Sequence, residues 1–177
     1  MKKILIIASL ILMGIFGSKN KNSTEVIIPD EAIRFRVIAA SNSVEDQNNK
    51  IKVRDALQKD ITSLLENSYD VSTTRSLLKN NVNRFEGVVS RTLLENKEDD
   101  LFQVHYGLNY FPEKKYKGVT YKEGYYESLV VTLGEGKGEN WWCVLFPPLC
   151  LLEAEETNTN AVEYKFFVQD LITKYFG

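Results

Sequence analysis

Apolar residues occupy every second position at the start of the folded part of the chain and then recur at helical spacing. In IRFRVIA, residues 33–39, the alternation is typical of a half-buried β-strand. After it, apolar residues from Val53 to Leu64 lie three or four positions apart, and Ser43 with Asp46 three residues later indicates a helix N-terminus. The pattern therefore predicts a strand followed by an amphipathic helix.

Further along, the same two periods predict a second helix, two more strands and a terminal helix. Apolar residues fall on one face from about Ser72 to Asn96, which predicts a helix that forms a hairpin with the first. LFQVHYGLNYF, residues 101–111, alternates like a strand, and SLVVTL, residues 128–133, is a short apolar run suited to a buried one. NAVEYKFFVQDLITKYF, residues 160–176, predicts a C-terminal helix.

The order of these elements, with a further strand in WWCVLF, predicts the fold class. Strand, helix, helix, three strands and helix favour an α+β, two-layer domain with a largely antiparallel sheet of about four strands. That sheet packs with the helical hairpin and the C-terminal helix. The chain has 177 residues, of which 44% are hydrophobic, enough for one compact core. A single domain is predicted over residues 32–177.

The N-terminus has the layout of a secretory signal. Lys2 and Lys3 precede an apolar run of 13 residues, from Ile4 to Phe16, whereas spanning a bilayer takes about 20. Residues 1–18 are therefore predicted to be a signal peptide and the only membrane-contacting segment. Residues 19–31 are polar and interrupted by Pro29, and they are predicted to be a linker.

Charge and composition exclude some functions. The 22 basic and 24 acidic residues give no cationic field for nucleic acid. One histidine and two cysteines fall short of the four protein ligands of a structural zinc site, so no metal or other cofactor is predicted.

The stretch GEGKGENWWCVLFPPLC, residues 134–150, contains both tryptophans, both cysteines and two adjacent prolines. Its glycines match no phosphate-binding motif and are predicted to form a hairpin turn from residues 128–133 into the strand WWCVLF, which the two prolines end. The two predicted faces of that strand are Trp141, Cys143 and Leu145 on one side and Trp142, Val144 and Phe146 on the other. Both faces are apolar, so something must cover each.

The two cysteines allow more than one interpretation. Cys143 and Cys150 form a disulfide in an exported chain or remain two buried thiols. A catalytic alternative is a nucleophile pair of Cys143 and His105 on neighbouring strands. Against it, His105 falls on the polar face of its strand and no third orienting group is evident.

Three stretches resemble a known family. They are IRFRVIAASNSVEDQNNKIKVRDAL, FPEKKY and above all GEGKGENWWCVLFPPLC, and they are similar to the stage II sporulation protein R family of spore-forming Firmicutes. The resemblance implies a protein made in the forespore and secreted into the space between forespore and mother cell. There it activates a membrane-bound aspartic protease of the mother cell, which processes the sigma factor E precursor. The resemblance supplies no catalytic residues.

Two function classes follow. In the preferred one the chain is a non-enzymatic signalling protein that favours the active state of the protease by binding it. Its contacts are then Trp141, Trp142 and Phe146, with Lys137 and Glu139 at the rim, unless the tryptophans belong to the core. In the alternative the chain is a Cys143-dependent hydrolase acting on the protease or on cell-wall material.

Overall fold

The computed structural model describes residues 26–98, 101–150 and 161–177. The predicted signal peptide and the first part of the predicted linker, residues 19–25, lie outside the described residues. Val26 and Ile28 are buried, and Val26 begins a short strand. The segment predicted as a linker therefore contains a short strand.

The described chain contains seven strands and four helices. In chain order they are β1 (Val26–Ile27), β2 (Ile33–Ile38), α1 (Val44–Leu65), α2 (Val71–Asn80), α3 (Val82–Glu95), β3 (Phe102–Phe111), β4 (Lys114–Tyr116), β5 (Val119–Tyr121), β6 (Gly124–Leu133), β7 (Asn140–Phe146) and α4 (Ala161–Phe176). They form two mixed but largely antiparallel sheets. The predicted α+β class is confirmed.

The larger sheet has the strand order β3-β6-β2-β7. The outer pairs are antiparallel, whereas β2 runs parallel to β6 in the centre. Helices α1–α3 cover one face, where a core forms around Phe35, Leu57, Phe85 and Leu129. The amphipathic pattern predicted from sequence supplies this core, since the apolar faces of the helices meet the alternating residues of β2.

One helix boundary predicted from local sequence is confirmed by the structure, and one predicted helix is not. Ser43 Oγ accepts a hydrogen bond from the Asp46 N–H at 3.0 Å, so the predicted N-cap of α1 is confirmed. The single helix predicted from Ser72 to Asn96 is wrong, because the helix breaks at Asn81. The Asn81 side chain donates to the Leu77 carbonyl at 2.8 Å, a local bond that competes with helix continuation.

A smaller sheet covers part of the opposite face of the larger one. Its order is β1-β5-β4, and the hairpin β4-β5 comes from FPEKKYKGVTYKEGYYE, residues 111–127, a stretch rich in Lys and Tyr. Together with α4 it encloses a second core, in which the hydroxyls of Tyr121 and Tyr164 are hydrogen-bonded at 2.9 Å. Val144 of β7 is buried here. Near β7 the larger sheet is therefore covered on both faces.

The glycine-rich stretch is a crossover, so the predicted β6–β7 hairpin is wrong. Strand β2 lies between β6 and β7, and the loop crosses over the end of β2. The N–H groups of Lys137 and Gly138 donate to the carbonyls of Ala40 and Ala39 at 3.1 and 3.0 Å. Sequence periodicity could not show that an earlier strand inserts between two consecutive ones.

Gly138→Ala is expected to lower the free energy of unfolding by roughly 2 kcal/mol, because the new Cβ would overlap the backbone carbonyl of Ser41. The matched control is Gly87→Ala, on the exposed side of α3, where a Cβ would meet nothing within 4 Å. That control should be stabilised by about 0.5–1 kcal/mol. Urea unfolding of both variants checks the pair, and equal stabilities would show that the loop has room at Gly138.

Candidate partner-binding site

Strand β7 is the edge strand of the larger sheet and holds most of the residues that the sequence singled out. It pairs in register with β2 from Asn140 to Val144, and then one extra residue shifts the pairing so that Phe146 lies opposite Ile33. The shift places Phe146 in the core under the helices rather than beside Val144. The predicted face shared by Trp142, Val144 and Phe146 is therefore wrong at Phe146.

The two cysteines form a disulfide. Their Cα atoms are 5.4 Å apart, and both side chains are buried. The bond ties the end of β7 to the segment after Pro147 and Pro148. Of the two interpretations left open by the sequence, the disulfide is the one that the structure contains.

The Cys143–His105 pair is not assembled. His105 lies on β3, at the opposite edge of the sheet, three strand spacings or roughly 14 Å from β7. Its neighbour Val104 points into the core that contains Cys143, so the exposed His105 lies on the other face. The disulfide also leaves Cys143 without a thiol.

Trp141 lies on the helix side of the edge strand. It is half-buried, and its ring meets Phe35 edge-on at a centroid distance of 5.8 Å. The Arg54 guanidinium of α1 lies 5.1 Å from the ring centroid. Trp141 thus touches the core on one side while part of its ring stays accessible.

Trp142 lies on the opposite side, between the two sheets, and is also half-buried. Its ring meets two aromatic rings edge-on and lies near two cations. The centroid distances are 5.5 Å to Phe111 and 5.2 Å to Tyr121, and the cation distances are 5.0 Å for both Arg34 and Lys114. Trp142 therefore joins the smaller sheet to the larger one.

Arg34, which the sequence pattern places on a half-buried strand, is completely buried. Its guanidinium lies 3.5 Å from the Tyr126 ring centroid and 4.9 Å from that of Phe111. Only Nη2 is hydrogen-bonded, at 3.3 Å to the Lys122 carbonyl, whereas Nε and Nη1 have no hydrogen-bond partner among the described residues. Burial lowers the pKa of Arg34 to about 10.

The remaining predicted contact residues are separated. Phe146 is buried and meets the rings of Tyr175 and Phe176 edge-on at 5.0 and 5.8 Å, next to a cavity of about 490 Å³. Lys137 and Glu139 are exposed on the crossover loop. Partner contact by these five residues stays a prediction, but only Trp141 and Trp142 share a site.

That site is a groove of about 270 Å³ along the edge of β7. It is lined by residues 140–143 and, from the smaller sheet, by Lys114, Tyr116 and Tyr121. The sequence analysis did not predict a role at this site for Lys114, Tyr116, Tyr121 or Arg34. Tyrosines and lysines in FPEKKYKGVTYKEGYYE were a signal, but only the pairing of β4 with β5 brings them to β7.

Two kinds of feature are absent from the described residues, which omit 1–25, 99–100 and 151–160. No helix there is long and apolar enough to cross a membrane. No group of three or more metal-ligating side chains is assembled there either.

Comparison with known proteins places the chain in a family. Residues 29–156 match the family model described as stage II sporulation protein R. The chain belongs to this family. The stage II sporulation protein R of Bacillus subtilis (strain 168) is 35% identical over 145 residues, which are 80% of this chain and 65% of that relative. The aligned region is thus less than two thirds of the relative's length. No solved structure matches the chain.

The stage II sporulation protein R match contains all of the groove. Arg34, Lys114, Trp141 and Trp142 fall within it, as does the disulfide. Helix α4 lies beyond the match, so the rings of Tyr175 and Phe176 that pack on Phe146 fall outside the matched residues. The groove therefore lies entirely within the family region.

Proposed function

We propose that this sporulation protein is an exported signal that activates a membrane-bound aspartic protease, which processes the mother-cell sigma factor E precursor. Membership of the stage II sporulation protein R family carries the proposal. The signal-like N-terminus and the disulfide are compatible with secretion from the forespore into the intermembrane space.

A binding role fits the site better than catalysis. The groove presents two half-buried tryptophans, a residue type enriched at the energetic centres of interfaces. A hydrolase that depends on Cys143 lacks both its thiolate and a nearby imidazole. Activation then arises because the chain binds the active state of the protease more tightly than the inactive one.

The experiment produces the full chain with its protease and the sigma-factor precursor in a host without other sporulation proteins. Precursor cleavage should require this chain, and cleavage that proceeds equally without it would reject the proposed function. The mass of the secreted chain also reports whether residues 1–18 are removed.

Replacing both cysteines by serine distinguishes binding from catalysis. The disulfide closes an eight-residue loop, so its loss should lower the free energy of unfolding by about 2.5 kcal/mol, measured by urea unfolding. Activation per folded molecule should be retained, because no thiol takes part in binding. Cys150→Ser alone is the control, since it frees Cys143, and a gain of activity in that variant would favour the hydrolase.

A further inference from the structure

The outer edge of β7 carries backbone groups that no described strand pairs with. Strand β7 pairs only with β2 among the described strands. The Ala39 N–H donates to the Glu139 carbonyl at 3.4 Å, and in an antiparallel pair such bonds fall on every second residue. Asn140 and Trp142 are the residues between, so their N–H and C=O groups point away from β2. This geometry can accept another strand.

The groove beside this edge suits an extended chain. Its lining comes from β7 itself and from the small sheet, which forms a wall at Lys114 and Tyr121. Trp141 and Trp142 project from opposite faces of the edge, as the pleat requires. An added strand would therefore meet one tryptophan on each of its faces.

Charge indicates what kind of segment fits. On one side of the edge, Lys114 lies 5.0 Å from the Trp142 ring centroid. On the other side, α1 supplies Arg54 near Trp141 and Lys50, whose Nζ donates to the Glu139 carbonyl at 3.2 Å. The nearby carboxylates are Glu139 and Asp55, and Asp55 is already paired with Arg54. These groups carry a net charge of +1, and because Arg54 is paired with Asp55 and Lys50 is buried, Lys114 is the cation that a partner would meet.

We propose that the outer edge of β7 binds an acidic, extended segment of a protein partner by strand addition. Main-chain bonds to Asn140 and Trp142 supply affinity, while the tryptophans and Lys114 select the side chains. The identity of the partner rests on the proposed function, which makes the segment part of the extracytoplasmic region of the protease. The mode of binding rests on β7 alone.

Asn140 allows a direct test of a main-chain contact. Its N–H is not needed for pairing with β2, so Asn140→Pro removes the outward donor and places a ring in the path of an added strand. Asn140→Ala is the matched control, because it removes the same side chain and keeps the N–H. Both side-chain changes are at an exposed position.

The probes are overlapping synthetic peptides that cover the extracytoplasmic segments of the protease. Trp141 and Trp142 are the two tryptophans of the chain, so intrinsic fluorescence reports the groove directly. Acidic peptides should change the emission of the wild type, and Asn140→Ala gives the reference affinity for Asn140→Pro because both variants lack the asparagine side chain. Asn140→Pro should bind them about tenfold more weakly, as expected for a lost hydrogen bond and its unpaired acceptor.

Several outcomes would overturn strand addition. Equal binding and equal protease activation by the two Asn140 variants would do so, and would leave the proposed function intact. Because proline also fixes φ and restricts Glu139, urea unfolding of both variants is compared first, and binding is compared per folded molecule. A dimer that sedimentation finds for Asn140→Ala and not for Asn140→Pro would assign the edge to a second copy. Conversely, a wild type that binds the peptides but never activates the protease rejects only the proposed function.

Discussion

Arg34→Met is expected to raise the free energy of unfolding by about 1 kcal/mol. The free energy of unfolding of Arg34→Ala should be about 3 kcal/mol lower than that of Arg34→Met. The guanidinium is fully buried with two unpartnered nitrogens, and no carboxylate of the described residues lies within ion-pairing distance. Methionine is unbranched and fills similar space without a charge to desolvate. Alanine leaves a cavity beneath the rings of Tyr126 and Trp142.

The pH dependence of the same variant has a definite sign. Because burial lowers the pKa of Arg34 to about 10 from its ordinary value, the unfolded chain binds more protons above that pH. The destabilising effect of the charge is fully present below pH 10 and is lost as pH rises through the folded-state pKa. The difference in unfolding free energy between Arg34→Met and the wild type should therefore shrink from about pH 9 to about pH 11. Urea unfolding at both values measures it.

A buried charge that lowers stability is expected where function requires it. Arg34 approaches the Trp142 ring, so we expect Arg34→Met to fold well but to activate the protease several-fold less. Arg91→Met is the charge-matched control, since Arg91 is exposed on α3 and lies on the helix side of the larger sheet. If Arg34→Met is less stable than the wild type, the aromatic contacts outweigh the desolvation of the guanidinium.

Local signals predicted the elements better than their arrangement. The cap at Ser43 and the apolar faces of the helices depend on residues within one or two turns, and both appear in the structure. The insertion of β2 between β6 and β7 depends on contacts about a hundred residues apart. No periodicity or turn motif in the glycine-rich loop indicates that strand order.

The site was predictable in part for the same reason. WWCVLF was correctly recognised as a two-faced strand, and its tryptophans do line one groove. The bulge that turns Phe146 into the core is a tertiary feature, as is the burial of Arg34 by a second sheet. An arginine in an alternating strand is ordinarily read as solvent-facing, which is correct only when nothing covers that face.

Trp142→Ala is expected to lower the free energy of unfolding by roughly 3 kcal/mol, the larger effect of the two tryptophans. Its ring joins the two sheets through edge-on contacts with Phe111 and Tyr121, and its removal also leaves Arg34 with one aromatic neighbour fewer. Trp141→Ala should lower it by only about 1–2 kcal/mol, because Trp141 meets one core ring, Phe35. Urea unfolding measures both.

Variants of the two tryptophans distinguish an effect on folding from an effect on partner binding. Activation per folded molecule should fall in Trp141→Ala although the fold is nearly intact, because that ring lines the groove while adding little to the core. Trp142→Phe is the control for the other face, since phenylalanine retains an aromatic ring between the sheets and should restore most of the lost stability. If Trp141→Ala activates the protease as well as the wild type does, the Trp141 side of the groove is not a contact surface, and Trp141 serves the core alone.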